Sequence, residues 1–360
     1  MISGDTPRIL LLGAGHANLL AVHRLREKLP RARITVIDAA AQASYSGMFP
    51  GYVAGHYAID EMRVTLGQFS AVHGISFVQG RIATIDPIAH QVLLQDGTDL
   101  SYDFAVLDVG SHSAMPEIQG FAQHGIPVKP LDGLSTQLGR TDPTTPAVII
   151  GGGVAGAEIA LALRHRGARE VTVTEAKSIV AAALGPRARR HLVAALDRRG
   201  IRVMTGAAIA AVQREEVILT DGTRIASGLT VGIAGARAHP WMARTLPVDS
   251  AGFVRVGPTL QVQGYPTLFA VGDCAAMMHA PRPKAGVFAV RQAPVLAANL
   301  AAVSSGQPLR RYDPQQDYLK IISLGGKTAL AEWRGLTLRG AWLWRWKDSI
   351  DRRFMASLQG

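Results

Sequence analysis

The pattern of apolar and polar positions repeats once along the chain. An apolar run, a glycine turn and a segment of helical period occur in RILLLGAGHANLLAVHRL, and the strand-like ARITVIDAA that follows reaches Asp38. The same order returns in AVIIGGGVAGAEIALALRHRG and then in EVTVTEAK, which reaches Glu175. Continuous apolar runs of this length are typical of strands buried in a parallel sheet. Two strand–turn–helix–strand units predict an α/β fold with two Rossmann-like dinucleotide-binding domains.

Each of the two units is followed by a predicted hairpin. The segments LLQDGTDLSYDFAVLD and ILTDGTRIASGLTVGI both place an Asp-Gly turn between extended runs. Proline-rich RTDPTTPA precedes the second unit, and APRPKAG leads into a predicted helix that runs through Leu300. From about Tyr312 the chain continues with strand-like runs and ends in a tryptophan-rich helix. One architecture is therefore used twice, with a short C-terminal segment added.

Composition and charge narrow the class of protein. The chain has 360 residues, of which 48% are hydrophobic and 18% charged, as expected for a globular protein of two or three domains. Its net charge of +11 indicates an anionic partner, which can be lipid, nucleic acid or a phosphate-bearing cofactor. No nucleic-acid-binding module is recognisable, and aromatic residues make up only 6%. We therefore expect no nucleic-acid partner.

A single cysteine, Cys274, limits the possible chemistry. It excludes an internal disulfide, a CxxC redox pair and a cysteine-rich zinc site, and we expect no bound metal. The N-terminus lacks the pattern of a signal peptide, and no run of 18 apolar residues predicts a membrane-spanning helix. These features predict a cytoplasmic protein.

The second glycine motif is complete. Gly151, Gly153 and Gly156 give the spacing G-x-G-x-x-G between a strand and a helix. In this motif the first glycine makes the turn, the second lets a pyrophosphate approach, and the third lets the helix pack closely on the strand. Glu175 stands where a carboxylate binds ribose hydroxyls and repels a 2′-phosphate. We therefore predict NADH rather than NADPH, although Lys177 lies close enough to weaken that preference.

The first glycine motif is incomplete. Gly13 and Gly15 are present, but Asn18 replaces the third glycine, and Asp38 supplies the acid at the end of the second strand. The context still predicts nucleotide binding. His16 has two interpretations: it contacts a pyrophosphate or a flavin edge, or it is a neutral structural histidine at the start of the helix.

The segment TLFAVGDCAAM resembles the second flavin-binding motif of the FAD-dependent pyridine nucleotide oxidoreductases. The resemblance implies that Asp273 contacts the ribityl chain and that Gly272 lets the cofactor approach. Cys274 would then be a small apolar neighbour beneath the flavin. Disulfide reductases of this superfamily need a pair of cysteines beside the flavin, and sulfide:quinone reductases use several. Neither arrangement exists here, so we do not expect Cys274 to be the catalyst.

The resemblance extends over nearly the whole chain. The two-domain layout and FAVGDCA resemble type II NADH dehydrogenases, which have a glutathione-reductase-like fold. The segments YSGMFPGYVAGHY and AWLWRWKDSIDRRFM resemble more closely the flavoproteins found fused to selenide, water dikinase. The implied domains are an FAD-binding domain of residues 1–118 and 241–311, an NAD-binding domain of residues 119–240, and a C-terminal segment of residues 312–360 that ends in an amphipathic helix.

The resemblance also implies roles for individual residues. The loop from Tyr45 to Pro50 would pass the flavin on its acceptor side. Glu158 would lie near the nicotinamide; the alternative is an acid that complements the N-terminus of its helix. Gly110 and Gly235 would mark the places where the chain crosses between the domains.

A further helix is implied to begin near Ala285 and Gly286, with its N-terminus directed at the flavin pyrimidine ring. Its dipole and Lys284 would stabilise negative charge there, whereas the alternative for Lys284 is a plain surface lysine. Typical quinone-reducing members carry a glutamine in the first turn of this helix, and this chain has Gly286, Val287 and Phe288 instead.

The function implied is hydride transfer from NADH to FAD and electron transfer to an acceptor, with quinone as the leading acceptor. A small soluble oxidant of selenium or sulfur metabolism is an alternative acceptor, and a redox-reporting FAD- and NAD-binding module with little turnover is an alternative of another class.

In the terminal helix, one apolar face is predicted from the spacing of Leu343, Trp346, Ile350, Phe354 and Leu358. This face would lie on an anionic membrane, at the inner surface of the cell membrane, or pack on the flavin domain or on a second subunit of a homodimer.

Overall fold

The computed structural model describes residues 6–113, 115–233 and 235–359. Residues 1–5 of the predicted FAD-binding domain and Gly360 of the C-terminal segment lie outside this part. The first third of the chain forms strands β1 Arg8–Leu12, β2 Arg33–Asp38, β3 Gln42–Ser44, β4 Arg63–Thr65, β5 Ser76–Gln79, β6 Ile82–Asp86, β7 Gln91–Leu94, β8 Asp99–Ser101, β9 Phe104–Leu107 and β10 His112–Ser113, and helices α1 His16–Lys28, α2 Phe49–Val53 and α3 Leu66–Val72.

The middle of the chain contains the second unit. Its elements are α4 Phe121–His124, β11 Gly125–Pro127, α5 Leu131–Arg140, β12 Ala147–Ile150, α6 Val154–Arg166, β13 Val171–Glu175, α7 Pro186–Arg198, β14 Arg202–Thr205, β15 Ile209–Val212, β16 Glu216–Leu219, β17 Arg224–Ala226, β18 Leu229–Gly232 and β19 Ala236–Arg237.

The last part of the chain returns to the first sheet and then adds the C-terminal segment. Its elements are β20 Val254–Val256, β21 Gln261–Val262, β22 Tyr265–Ala270, β23 Ala275–Met277, α8 Gly286–Ser304, β24 Lys320–Ser323, β25 Ala329–Trp333, β26 Leu336–Gly340 and α9 Ala341–Gln359. Short 3-10 turns occur at Ile59–Met62, Met115–Glu117, Pro240–Arg244 and Gly272–Cys274.

The first sheet has eight strands in the order β23-β20-β21-β22-β9-β1-β2-β5. Its central strands are parallel, and Leu12 at the end of β1 lies beside Ile37 of β2 and Leu107 of β9. Ala270 at the end of β22 lies beside Leu107 as well. The carboxyl ends of these strands therefore meet at one edge, which is where open α/β sheets bind their ligands.

The second sheet has five parallel strands in the order β11-β18-β12-β13-β14. Ile150 at the end of β12 pairs with Thr174 of β13 and Gly232 of β18, so a second set of strand ends also meets at one edge. The parallel strands of both sheets, with their crossover helices, confirm the predicted α/β class with two Rossmann-like units.

Smaller antiparallel sheets follow each unit, as the Asp-Gly turns predict. In β7–β8 the turn closes with a hydrogen bond from the Leu94 N–H to the Thr98 carbonyl at 2.9 Å, and in β16–β17 the Leu219 N–H donates to the Thr223 carbonyl at 2.9 Å. A separate two-stranded sheet joins β10 to β19. Gly110 and Gly235 stand just before these two strands and have positive φ angles of 66° and 72°.

Helix α8 packs against α1 beneath the first sheet and runs four residues beyond the predicted Leu300. Within the described residues, α8 is the helix that is long and apolar enough to cross a membrane by length and composition. The core helix of a globular protein passes the same test, and Leu296 and Leu300 are fully buried here.

The C-terminal segment forms the antiparallel sheet β24-β25-β26 followed by α9. Leu343 and Leu358 are buried, whereas Trp346 and Ile350 remain exposed. Leu343 and Leu358 therefore pack on the protein, as the second alternative predicts, and do not belong to a lipid-facing side of the helix. The buried side of α9 also includes Trp344, Asp351 and Met355, so it is rotated relative to the predicted apolar face.

Candidate active site

A cavity of about 490 Å³ lies between the first sheet, the second unit and the C-terminal helix. Its wall is shared by the strand ends of the first sheet, the first turns of α1, α6 and α8, and the last turns of α9. Among its lining residues are Gly15, His16, Tyr45, Pro50, Asp108, Gly110, Lys129, Glu158, Gly272, Asp273, Lys284, Ala285, Gly286, Phe354 and Leu358. The structure thus brings together most of the predicted site residues of the first unit with Glu158 of the second.

The glycine turn after β1 packs closely against the chain around it. Gly13 has φ of +94°, and a Cβ there would lie 2.5 Å from the Asp108 carbonyl oxygen. Asn18 is fully buried, and its Nδ2 donates to the Gly13 carbonyl at 2.8 Å. The side-chain amide thus ties the helix to the turn, which explains why a residue other than glycine occupies this position.

The two strand-end acids make equivalent contacts. Asp38 accepts hydrogen bonds from the N–H groups of Ala14 at 2.7 Å and Ala40 at 2.9 Å. Glu175 accepts from the N–H groups of Gly152 at 2.9 Å and Lys177 at 3.0 Å. Each carboxylate is therefore oriented by its own glycine turn, in the position where a nucleotide ribose is bound in Rossmann folds.

The third glycine of the second motif is required by packing. A Cβ at Gly156 would lie 1.9 Å from the Gly151 carbonyl oxygen, so any side chain would force α6 away from β12. The carboxyl edge of the second sheet holds Gly151, Gly153 and Glu175. Helix α6 starts at this edge, and its residues Ala155, Glu158 and Ile159 line the 490 Å³ cavity. Gly235 lies elsewhere, at the crossing before β19.

Glu158 is a partly buried acid in the cavity wall. Its Oε1 accepts a hydrogen bond from the Ser323 N–H at 2.7 Å. Burial raises the pKa of its carboxyl from 4.5 to about 7, against the opposing effects of Lys347 and the Ser323 N–H. A carboxyl with this pKa can hold or release a proton near neutral pH.

Asp273 is paired with a lysine that the sequence analysis missed. Lys129 Nζ donates to Asp273 Oδ2 at 2.7 Å, and the Ser111 hydroxyl donates to the same oxygen at 3.4 Å. Lys129 lies 144 residues from Asp273, so no local spacing could have indicated the contact.

Lys284 is half-buried rather than a plain surface lysine. Its Nζ donates to the Ala275 carbonyl at 2.5 Å and lies 3.9 Å from the centre of the Phe253 ring. Burial lowers the pKa of its ammonium group. Ala285 is the N-cap of α8, and a Cβ on Gly286 would lie 3.4 Å from His16 Nδ1.

His16 forms part of an aromatic cluster with Tyr45 and Phe354. The ring centres of Tyr45 and Phe354 are 4.2 Å apart in a stacked arrangement, and both rings present an edge contact to His16. Burial lowers the pKa of His16 to about 4, so its imidazole is neutral. The neutral ring lines the cavity, so the contact of His16 with a pyrophosphate or a flavin edge stays a prediction.

The aromatic cluster is anchored by a buried ion pair that the sequence analysis also missed. Tyr45 donates its hydroxyl to Asp351 at 3.0 Å, and Lys347 Nζ donates to the other Asp351 oxygen at 2.5 Å. Burial and Asp351 raise the pKa of the Tyr45 hydroxyl. Lys347 also donates to the Gly47 carbonyl at 2.7 Å, so α9 is fastened to the Tyr45–Pro50 loop.

Cys274 is fully buried beside this edge of the sheet. Its Sγ lies 3.1 Å from the Val271 carbonyl and 3.5 Å from the Leu107 carbonyl. Burial raises the pKa of the thiol to about 12, so it is neutral and a poor nucleophile. Among the described residues, no group of three or more His, Cys, Asp or Glu side chains could hold a metal ion.

Asp108, which the sequence analysis did not single out, follows β9 and is buried at the start of α1. Its Oδ2 accepts a hydrogen bond from the Asn18 N–H at 3.0 Å. Burial raises the pKa of its carboxyl from 3.8 to about 7, and the nearby Asp273 and Asp38 raise it as well. The acid could have been noticed in the sequence, because it ends the apolar run FAVLD.

A second cavity, of about 280 Å³, lies on the other side of the Gly13 turn. Asp38, Arg81, Gln95 and Trp241 are among the residues that line it. Two cavities separated by a glycine turn suit an extended dinucleotide, with its pyrophosphate at the turn and its two ends on either side.

Comparison with known proteins agrees with this arrangement. Residues 7–293 match the family model described as pyridine nucleotide-disulphide oxidoreductase. An NADH dehydrogenase-like protein of Mycobacterium tuberculosis is 30% identical over 295 residues, covering 75% of this chain and 73% of that protein. The demethylphylloquinone reductase of Synechocystis is 27% identical over 362 residues, covering 93% and 88%. The sulfide:quinone oxidoreductase of Aquifex aeolicus has the same fold, with a TM-score of 0.85 at 20% identity over 98% of this chain and 92% of that one.

Proposed function

The chain belongs to the pyridine nucleotide-disulphide oxidoreductase family and is an FAD-dependent NAD(P)H oxidoreductase, and from that premise we propose that it passes hydride from NADH to FAD and electrons on to a quinone. One observation carries the proposal: a single cavity is walled by the strand ends of the first sheet, by α6 of the second unit and by α9. FAD, when bound, supplies the chemistry of accepting a hydride and releasing electrons. The protein supplies binding, orientation and electrostatics.

The residues present fit FAD. The Gly13–Gly15 turn brings the backbone close to the start of α1, where a pyrophosphate would bind beside the Asp108 carboxyl, and Asp38 is held where it can bind the adenine ribose. Asp273 and Lys129, which line the cavity, would contact the ribityl chain. Lys284 and the N-terminus of α8 offer positive charge at the far end of the cavity.

On the NADH side, the protein provides an acid and a ribose site. Glu158 lies in the cavity wall on α6, where its carboxyl would hold a proton near the nicotinamide. Glu175, oriented by the Gly152 N–H, would accept from the adenine ribose hydroxyls and repel a 2′-phosphate. The preference for NADH over NADPH follows from this carboxylate.

On the acceptor side, the cavity wall is apolar. Tyr45, Pro50, Phe354 and Leu358 would contact a flat ring and exclude water from it. Quinone reduction needs a proton in addition to the hydride from NADH, and Glu158 or the Tyr45 hydroxyl is placed to hold one. A related protein of Synechocystis is named a demethylphylloquinone reductase, which supports a quinone as the acceptor here.

An exposed apolar surface on the C-terminal segment, whose last helix also reaches the cavity, supports delivery of a lipid-soluble quinone. It is formed by Trp333, Leu336 and Leu338 of the β25–β26 hairpin and by Trp342, Trp346 and Ile350 of α9. The basic residues Arg334, Arg339, Arg345 and Arg353 belong to the same elements. We call this the tryptophan surface. Apolar rings flanked by arginines are suited to an anionic bilayer interface, which would place the protein peripherally on the cell membrane.

A soluble acceptor is the second candidate. The first turn of α8 carries no glutamine, and the nearby Gln292 is buried, with its Oε1 accepting from the Gly272 N–H at 2.8 Å. The resemblance to flavoproteins fused to selenide, water dikinase points to selenium or sulfur chemistry for such an acceptor. A third candidate, a binding module with little turnover, predicts no flavin reduction at all.

The experiment separates these functions in two steps. The FAD-loaded protein is mixed anaerobically with NADH, and bleaching of the flavin absorption band is followed. Quinones and soluble oxidants are then added separately, and recovery of the band is timed. Fast bleaching and recovery with quinone are expected. Recovery with a soluble oxidant alone would replace quinone as the acceptor, and an unbleached flavin would contradict the oxidoreductase function.

A further inference from the structure

Asp108 occupies the place at the start of α1 where a phosphate group would bind. Its carboxyl accepts hydrogen bonds from the backbone N–H groups of Asn18, at 3.0 Å, and of Ala17. The N-cap of this helix is Gly15, which has no side chain to offer, so Asp108 caps the helix from another strand. The helix dipole and the free N–H groups at this position favour one negative charge.

The carboxyl also fills the space between two glycines. A Cβ at Gly15 would lie 2.2 Å from the Asp108 carboxyl carbon, and a Cβ at Gly272 would lie 2.3 Å from its Oδ1. Gly15 and Gly272 are the positions at which the two flavin-binding motifs let the cofactor approach. Asp108 lines the 490 Å³ cavity, so its carboxyl would meet the FAD pyrophosphate there.

Two anions cannot share this position without a compensating charge. The titratable and charged groups nearest to Asp108 are Asp38 at the end of β2, Asp273 with its partner Lys129, His16 on α1, Cys274, and Lys284 before α8. His16 and Cys274 are neutral, Lys129 is engaged with Asp273, and the Lys284 ammonium group is held by the Ala275 carbonyl. The surroundings therefore disfavour a carboxylate beside a pyrophosphate.

We propose that Asp108 contacts the FAD pyrophosphate as a neutral carboxylic acid that donates its O–H to a pyrophosphate oxygen, so that FAD binding takes up one proton. In the unloaded protein above pH 7 the deprotonated carboxylate caps α1, and the incoming pyrophosphate takes over the helix N–H groups. This inference rests on the proposed function only in requiring that FAD is the dinucleotide of the first sheet.

The pH dependence follows from the state of the carboxyl. Burial raises the pKa of Asp108 to about 7 without FAD, and the pyrophosphate charge raises it further. Below pH 7 the carboxyl is already protonated, so FAD affinity changes little. Above pH 7 each unit of pH costs about a tenfold loss of affinity until the pKa of the complex is reached.

The test measures the FAD dissociation constant by quenching of flavin fluorescence between pH 6 and 9. It compares the wild-type chain with Asp108→Asn and with Asp103→Asn, a matched change at the surface end of the same strand. The wild-type protein and the Asp103 variant are expected to lose about tenfold per unit above pH 7.5. Asp108→Asn, whose amide can donate without titrating, is expected to bind with little dependence on pH and more tightly than wild type at pH 9.

Calorimetry of the wild-type protein provides a measurement that does not depend on the folding of a variant. Binding heats at pH 8 in two buffers of different ionisation enthalpy give the number of protons taken up, and a value close to one is expected. Uptake of no proton, or the same pH slope in Asp108→Asn, would overturn the proposal. Failure to bind FAD at any pH would contradict the proposed function instead.

Discussion

Two acids of the cavity wall, Asp108 and Glu158, have environments that differ from those of the other acids of this site. Asp108 is buried and Glu158 is partly buried, whereas Asp273 has a lysine partner and Asp38 has two backbone N–H donors. Desolvation favours the neutral form of the first two acids. At neutral pH the site therefore has two groups that can hold a proton.

The variant Glu158→Gln tests the environment of the Glu158 carboxyl through the pH dependence of the free energy of unfolding. The folded-state pKa of about 7 lies above the ordinary value of 4.5, so the stabilisation associated with the protonated carboxyl is lost as pH rises from about 4.5 through 7. At pH 8 the free energy of unfolding of the variant should therefore exceed that of wild type by up to about 3 kcal/mol, and at pH 4.5 the two free energies should be similar. Denaturant titrations at both pH values measure this. The exposed Glu170→Gln is the control, and an equal gain there would show that the effect does not come from Glu158.

Cys274→Ser should keep the rate of NADH-dependent flavin reduction within about threefold of wild type, because the thiol is neutral, buried and outside the cavity wall. Stopped-flow absorbance measures this rate. Asp273→Ala, by contrast, should weaken FAD retention during gel filtration. A serine variant that binds FAD normally but cannot pass electrons would require a catalytic thiol.

Glu175→Ser should reduce the discrimination between the two nicotinamide cofactors. Wild type is expected to show the higher kcat/KM with NADH, because the carboxylate repels the 2′-phosphate of NADPH. The variant should bring the two values closer, chiefly through KM. A wild-type preference for NADPH would mean that Lys177 or a neighbouring arginine controls the site.

At the scale of the element, the last helix has two different roles on its two sides. Toward the protein it packs Leu343, Met355 and Leu358 into the core, and toward solvent it presents Trp346 and Ile350. The spacing of apolar residues predicts the helix but not its rotation. The rotation depends on Asp351, an acid that becomes buried only because Lys347 and Tyr45 bind it.

Asp351→Ala should therefore destabilise the protein by about 3 to 5 kcal/mol, because it leaves the Lys347 ammonium group without its partner in a largely buried site. The matched control is Arg353→Ala on the exposed side of the same helix, which should change stability by less than about 0.5 kcal/mol. Denaturant midpoints of the two variants measure the difference. Similar small losses in both would show that the pair does not fix the helix.

The sequence allowed the repeating elements to be predicted, since apolar runs and glycine turns are local signals. Gly151, Gly153, Gly156 and the Asp-Gly turns depend on near neighbours and could be placed in advance. The contacts of Lys129, Asp108 and Asp351 could not be predicted, even where the residue itself ends an apolar run, because they join residues 144, 90 and 306 positions apart. The order of the strands in a parallel sheet, and not the spacing of residues along the chain, decides which residues meet at its edge.

At the scale of the whole molecule, the net charge of +11 and the tryptophan surface together favour an anionic membrane. Binding should combine burial of apolar rings with attraction that salt weakens. The proposed surface is therefore testable without any assay of electron transfer.

The double variant Trp342→Ser/Trp346→Ser should lose most sedimentation with vesicles that contain anionic lipid, while soluble-dye reduction is retained. Ile88→Ser is the matched control, because Ile88 is 84% exposed on a distant hairpin, compared with 52% for Trp342 and 42% for Trp346. Wild-type binding should also fall as salt is raised. If wild type fails to bind at low salt but self-associates in ultracentrifugation, the tryptophan surface joins two copies of the chain instead.

The position of Leu358 in the cavity wall has a practical consequence for handling the protein. An affinity tag or fluorescent fusion joined after Gly360 would begin three residues beyond Leu358, whose side chain lines the cavity. Such an extension would be expected to alter turnover in ways that mimic an active-site mutation. Tags for purification and for tracking the protein in cells are therefore better placed away from α9.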